Sequence, residues 1–352
     1  MSLSPDALTS KRVEVEGTVD DAIEYCYQRR WTDGLPVIPP TEEKVLEFLS
    51  FAGRHPSDVI GVEPVRGRVI TAEKVAINAV MAGCRPEYMP VIIAAVECMV
   101  QPEFNLHGSS ASTGGSAPLL VINGPIRHKL GFASGHNIFG PGPDRRANAT
   151  VGRAIRLLLI NVLENHPGVL DRSTLGHPGK YSYCIAEDEE NSPWEPLHVE
   201  RGFPREASTV TVFASLGPWQ IDLVGAGTPE MVLSAVADTM LATGRGHGEI
   251  LLVMSQEHGG FMKEARWSKK RVRDFLFQKA RRTAEEWAAI YKSERPAPGT
   301  EKEMIPAGRA PESVVLLAGG GSGGPWSALI PRWGKGVGSR SITREIDTSR
   351  IS

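Results

Sequence analysis

Gly176-His177-Pro178-Gly179-Lys180 opens the stretch of this chain with the densest reactive side chains. It continues through Tyr181-Ser182-Tyr183-Cys184-Ile185-Ala186 into Glu187-Asp188-Glu189-Glu190-Asn191-Ser192-Pro193-Trp194-Glu195-Pro196-Leu197-His198. An imidazole on a turn fixed by Gly and Pro has limited mobility, which general acid–base work requires. Carboxylates crowded as at 187–190 repel one another, so one can hold its proton to higher pH and serve as an acid. His177, Glu190 and His198 are therefore the catalytic candidates, with Lys180 and Trp194 placed to contact a substrate. The competing reading is an acidic, solvated turn with a structural His on either side. The stiff rings of Pro178, Pro193 and Pro196 and the presence of Trp194 argue against a floppy surface loop. Cys184, flanked by small side chains, is a nucleophile candidate set against the ordinary role of a small core residue.

Other loops carry similar chemistry. Asn105, His107, Ser112, Thr113 and Ser116 surround Gly114-Gly115, whose backbone N–H groups could receive an anion such as a carboxylate. A capped loop ahead of a strand explains the same residues. His136-Asn137 and then Arg146 and Asn148 form a third group, the last two at the start of a helix, where an anionic group is favoured. Plain capping by Asn148 is the simpler alternative. His258 directly follows an apolar strand, a common site position in α/β sheets. Gly321 lies in Gly319-Gly320-Gly321-Ser322-Gly323-Gly324, which formally satisfies G-x-G-x-x-G. Pro325 follows at once and no complete βαβ unit remains, so a backbone cradle for an anion fits better than a dinucleotide site. His107, His136, His177 and His198 could bind a divalent metal, but no His-x-His or His-Glu-x-x-His spacing supports it, so any such site is assembled from distant loops.

Helices and short apolar strands alternate along the chain, the α/β pattern. Val19 to Trp31 has helical spacing, and Thr41 caps a helix to about Phe51. Thr71 to Ala82 and Pro86 to Val100 read as an αα-hairpin. Ala117 to Asn123, Ile250 to Met254 and Val314 to Ala318 are continuous apolar runs, hence buried strands. Tyr181 to Ala186 and Thr209 to Ala214 are further strands. Ala147 to Asn165 is a helix apolar nearly all round and belongs inside the molecule. Thr228 caps a helix to about Thr243, and Ser268 caps a basic one to about Arg282 whose cations form a solvated face. The expectation is an α/β fold of two lobes, 1–205 and 206–352, with short, mostly buried strands and long Gly/Pro-rich loops. The first lobe carries most of the candidate site.

Lys plus Arg total 39 against 41 Asp plus Glu, a net charge of −2, so no bulk field draws the chain to nucleic acid or membrane. Met1-Ser2-Leu3-Ser4-Pro5 lacks the basic and apolar blocks of a secretory signal, and no apolar run reaches the roughly 18 residues that span a bilayer. Cys26, Cys84, Cys98 and Cys184 are widely spaced, which fits reduced thiols in the cytoplasm rather than a zinc cluster or disulfide scaffold. The apolar loops favour a homo-oligomer over a monomer.

Four segments look like those of a known group: 32–40 (Thr-Asp-Gly-Leu-Pro-Val-Ile-Pro-Pro), 78–84 (Asn-Ala-Val-Met-Ala-Gly-Cys), 175–180 (Leu-Gly-His-Pro-Gly-Lys), and 192–202 from Ser192 to Gly202. Together they resemble a largely uncharacterised bacterial family associated with the UGSC (seleno)protein group, over most of the chain. The Cys- or Sec-Gly-Ser-Cys motif that names that group is absent here. The resemblance therefore implies that thiol chemistry comes from a separate partner.

The residues themselves read as a cytoplasmic enzyme for a small, anionic or carbonyl-bearing substrate. Proton transfer by His and Glu, with or without a metal, would drive a hydrolytic or lyase-type step. Two readings stand beside it. One is a substrate-binding subunit that presents its ligand to a thiol or selenol partner for reductive cleavage. The other is a non-catalytic ligand-binding or assembly protein. The enzyme reading needs the His107, His136, His177 and Glu190/His198 loops to meet in space.

Overall fold

The computed structural model describes residues 4–291, 295–334 and 338–351. Helix starts follow side-chain capping. Thr18, Thr41, Thr71, Thr228, Ser255, Ser268 and Thr283 each accept the backbone N–H three residues on. Each such cap is worth about 1 kcal/mol. Gly83 ends one of these helices at φ 83°, a left-handed conformation that side chains disfavour.

The chain forms two compact units, and the divide is not a single cut between 205 and 206. One unit comprises Met1–Glu187, Pro196–Leu216 and Arg340–Ser352; the other comprises Asp188–Glu195 and Gly217–Ser339. The first unit contains, in order, α1 (Val19–Gln28), α2 (Glu42–Ala52), β1 (Val59–Val62), β2 (Val69–Thr71), α3 (Ala72–Ala82), α4 (Met89–Met99), α5 (Leu106–Ser110) and β3 (Ala117–Asn123). α6 (Ile126–Lys129), α7 (Arg146–Asn161), β4 (Cys184–Ala186), α8 (Leu197–Glu200) and β5 (Thr209–Ser215) follow. The second unit holds β6 (Trp219–Asp222), α9 (Pro229–Ala242), β7 (Ile250–Met254), α10 (Gln256–Glu264), α11 (Lys269–Lys279) and β8 (Arg281–Thr283). It continues with α12 (Ala284–Ile290), β9 (Met304–Pro306), β10 (Val314–Ala318) and β11 (Trp326–Ile330). The chain then returns to the first unit as β12 (Ile342–Glu345).

In the first unit the sheet order is β12-β5-β3-β4, with β3 parallel to β4 and antiparallel to β5. β3 is its spine: Leu119, Leu120, Val121 and Ile122 are all fully buried. Burying each such side chain contributes roughly 1.5–3 kcal/mol, which is why this continuous apolar run becomes the central strand. α4 packs on β5 and β12, and α7 packs on β4 and on α3. α7 buries Val151, Ala154, Ile155, Leu158 and Leu159, as its nearly all-round apolar character predicts. β1 and β2 form a separate hairpin.

In the second unit the order is β10-β7-β11-β6, with only β10 and β7 parallel. Val232, Val236 and Met240 of α9, Val272 and Leu276 of α11, Trp267 and Trp287 form its core with Leu252 and Leu316. The mixed α/β class is therefore that expected, and no described helix is long and apolar enough to cross a membrane.

Several local expectations shift. The strand read over 181–186 is confined to Cys184–Ala186, because Pro178–Lys180 form a 3₁₀ turn that leaves Tyr181 exposed. The basic helix stops at Lys279, and Arg281–Thr283 pair with Met304–Pro306 as β8 and β9. His258 follows the Ile250–Met254 strand as expected, in the first turn of α10, whose cap is Ser255.

Candidate functional site

The two ends of β3 gather different side chains. At its start, Ser116 Oγ donates to the Ser109 carbonyl at 2.7 Å, folding α5 back onto the strand. Thr174 N–H donates to the Thr113 carbonyl at 2.9 Å, tying the loop before β3 to the loop that carries His177. The contact is close: a Cβ on Gly115 would lie 2.6 Å from Gly176 Cα. Ser215, paired with Ala117, brings its backbone carbonyl to His177.

A charged cluster lies at this end. Lys180 Nζ is 2.7 Å from Asp171 Oδ2, and Arg156 Nη1 from α7 is 3.3 Å from the same oxygen. Burial alone would raise the Asp171 pKa, but the hydrogen bonds from Lys180 and Ser173 outweigh it and hold the carboxyl below its usual range. Lys180 is pushed below its usual value by burial, against the opposing pull of Asp171. Beside these charges is a hollow of about 20 Å³ lined by Ser109, Ser110, Ser116, Arg156, Asn165 and Lys180. One water needs roughly 10–15 Å³ measured this way, so the hollow takes the head of a small molecule rather than a whole drug-sized ligand. The serine protons are already committed: Ser109 Oγ donates to Leu106, Ser110 Oγ to His107 and Ser116 Oγ to Ser109, all at backbone carbonyls. Donors for an anion therefore come from Lys180 and Arg156.

Gly179, next to Lys180, donates its N–H to His177 Nδ1 at 3.1 Å. With Nδ1 accepting, the neutral ring carries its proton on Nε2. Burial holds His177 below the usual imidazole range, against the Ser215 carbonyl and with help from the Lys180 charge. The ring packs edge-on against Tyr183 with centroids 5.4 Å apart. His177 is thus held as a neutral ring whose one N–H meets the Ser215 carbonyl, and it is not among the residues that line the hollow.

At the far end of β3, Glu187 Oε2 accepts from Asn123 Nδ2 at 2.6 Å and from the Leu197 N–H at 2.8 Å. Arg127 Nη1 donates to the Glu187 carbonyl at 2.8 Å. His198, fully buried in α8, places Nε2 3.2 Å from the Arg205 carbonyl. β3 spans six steps of about 3.3 Å, so His177 and His198 lie at opposite ends of the sheet, about 20 Å apart along the strand. They do not form one hollow. The expectation that these loops converge fails because β4 carries the chain along the sheet between them.

The other candidates take defined places. Asn105 caps α5 from a left-handed conformation (φ 55°) and accepts the Gly108 N–H. His107 Nδ1 lies 3.9 Å from Glu63 Oε1, beside the β1–β2 turn. His136 and Asn137 are exposed. Arg146 donates to the Gly83 and Cys84 carbonyls, where it meets the negative end of α3. Asn148 is not a cap: buried inside α7, it clamps Ala133 through both amide atoms and donates to the Cys184 carbonyl at 3.0 Å. Cys184 is buried and its thiol is raised far above the thiolate range by burial, so the nucleophile assignment lacks its thiolate. Glu190, Trp194, His258 and Gly321 belong to the second unit. Glu190 is exposed, and Trp194 Nε1 donates to the Trp267 carbonyl at 2.8 Å beside that unit's core. Buried His258 bonds Ser327 Oγ through Nδ1 at 2.8 Å, and Gly321 follows β10 in a partly exposed loop.

Arg156 and Asp171 are cluster residues that the sequence pattern does not single out. Arg156 was the one signal within reach, a cation inside the apolar run Ala154-Ile155-Arg156-Leu157-Leu158-Leu159. Among the described residues no three His, Cys, Asp or Glu side chains are grouped as metal ligands. No family model, no curated protein and no solved structure matches the chain.

Proposed function

We propose that the first unit is an enzyme centre for a small anionic or carbonyl-bearing substrate, acting by proton transfer in a hydrolytic or lyase-type step. One observation carries the reading: two cations on the wall of a serine-lined hollow, Arg156 and Lys180, share a single carboxylate, Asp171, behind them. The local excess of one positive charge, among largely buried side chains, favours an acidic head group. Lys180 and Arg156 would bind that group through the N–H donors Asp171 leaves over. His177, neutral and with its proton on Nε2, would act as a hydrogen-bond donor that polarises the substrate carbonyl, turning that N–H from the Ser215 carbonyl. His198 and Glu190 have no part in this arrangement. The test is a turnover screen of wild-type protein, Lys180→Met and His177→Ala on small carboxylates, amides and esters. Loss of turnover in both variants, each still folded, supports the reading; full turnover in Lys180→Met rejects it.

A second reading is favoured by the cysteines. All four are buried and burial raises every thiol, Cys84 and Cys98 to about 12, so this chain offers no ready thiolate. A substrate-binding subunit that hands its ligand to a thiol or selenol partner would show activity only in the mixture. Activity of the isolated chain would decide against it.

A further inference from the structure

Arg332 sits in the second unit, 7% exposed, immediately after β11. Its guanidinium carries five N–H donors. Nη2 donates to the Gly244 carbonyl and, at 2.9 Å, to the Ala307 carbonyl. Nη1 is buried and donates to nothing among the described residues, and no described Asp or Glu pairs with the side chain. Gly244 lies one residue past Thr243, the C-cap of α9, so its carbonyl offers a dipole and not the charge of the helix end. That leaves the guanidinium without a full counter-charge in a buried setting, where an unpaired ion is costly.

The segment opposite is Gly244-Arg245-Gly246-His247-Gly248. Its glycines are required by proximity. A Cβ on Gly246 would lie 2.9 Å from Arg332 Nε and 2.7 Å from the Gly334 carbonyl oxygen, and one on Gly248 would lie 2.5 Å from the Trp333 carbonyl oxygen. The backbone thus lies directly on the cation, and the same loop adds Arg245 and His247.

We propose that Arg332 anchors an anion site in the second unit, in which a small oxyanion, the phosphate or carboxylate group of a ligand, is held at Nη1 beside the 244–248 loop. Arginine suits both groups, since its planar donors match their oxygens. The site is independent of the Lys180 hollow.

The experiment is calorimetric titration of the full chain with inorganic phosphate and, separately, acetate at fixed ionic strength. Wild type, Lys180→Met, Arg332→Lys and Arg332→Gln are compared, with thermal melts to verify folding. The expected result is a binding component that remains in Lys180→Met, where the other hollow is disabled, and that weakens about tenfold or more in both Arg332 variants, a factor read directly from Kd. Phosphate or acetate, whichever binds tighter, identifies the group. No binding of either anion by wild type, or unchanged binding in folded Arg332 variants, overturns the site and leaves Arg332 as a clamp on two carbonyls. If both variants fail to fold, wild-type crystals grown with arsenate decide. An anomalous peak within hydrogen-bond reach of Nη1 supports the site, and its absence there overturns it.

Discussion

Lys180 Nζ and Asp171 Oδ2 lie 2.7 Å apart, with both side chains largely buried and Arg156 on the same carboxylate. Removing one partner of such a pair leaves the other's charge uncompensated, which costs about 3–5 kcal/mol when burial is complete. Asp171→Asn strands two cations, whereas Lys180→Met leaves Asp171 with Arg156. Urea unfolding should therefore show the larger loss in Asp171→Asn, about 3 kcal/mol, and the smaller in Lys180→Met. Equal losses would mean that Arg156 does not share the carboxylate.

Three histidines make stability depend on mildly acidic pH. His166, His177 and His258 are each held below the ordinary 6.5, with burial the first cause in every case. The unfolded chain therefore takes up more protons than the folded one once pH drops through 6.5. Stability is fully present above that value and declines as pH falls toward the lower folded values. The Asp171 carboxyl, depressed from 3.8, adds a second decline at more acidic pH. Urea midpoints at pH 7.5, 6.5 and 5.5 should fall across the last interval. A flat profile would place these rings in water.

Gly115 and Gly176 cross too closely for a side chain on the former. Gly115→Ala would place its methyl carbon 2.6 Å from Gly176 Cα, where backbone must give way. The expected destabilisation is about 1–3 kcal/mol by denaturant titration. A neutral result would show that the two loops are not held together.

The thiols offer a chemical check. With all 4 cysteines buried and their thiols protonated, a thiol-specific reagent at pH 8 should label none of them quickly in native protein. All four should react after unfolding. Fast native labelling of Cys184 would restore it as a nucleophile candidate.

Much of the frame was legible because a single local cause dictates it. Ala117–Asn123, Ile250–Met254 and Val314–Ala318 are strands over the spans their apolar runs mark. Thr41, Thr71, Thr228 and Ser268 cap where their hydroxyls precede helical spacing. β6 and β12 carry no such signal, since edge strands such as Trp219–Asp222 and Ile342–Glu345 keep exposed, charged positions and owe their pairing to β11 and β5. The same limit governs the site. His177 and His198 share one loop-rich stretch, yet the intervening strand sends them to opposite ends of β3. Lys180 was visible on its Gly/Pro turn. Its partners were not, because Arg156 comes from a buried helix and Asp171 from a loop that only folding brings near.

The most direct measurement is calorimetric titration with a small carboxylate such as malonate, comparing wild type, Lys180→Met and Arg332→Lys. A saturable component that weakens about tenfold or more in Lys180→Met and remains in Arg332→Lys, where any second anion site is disabled, is the predicted result. An isotherm unchanged by Lys180→Met would contradict an anion site at the start of β3.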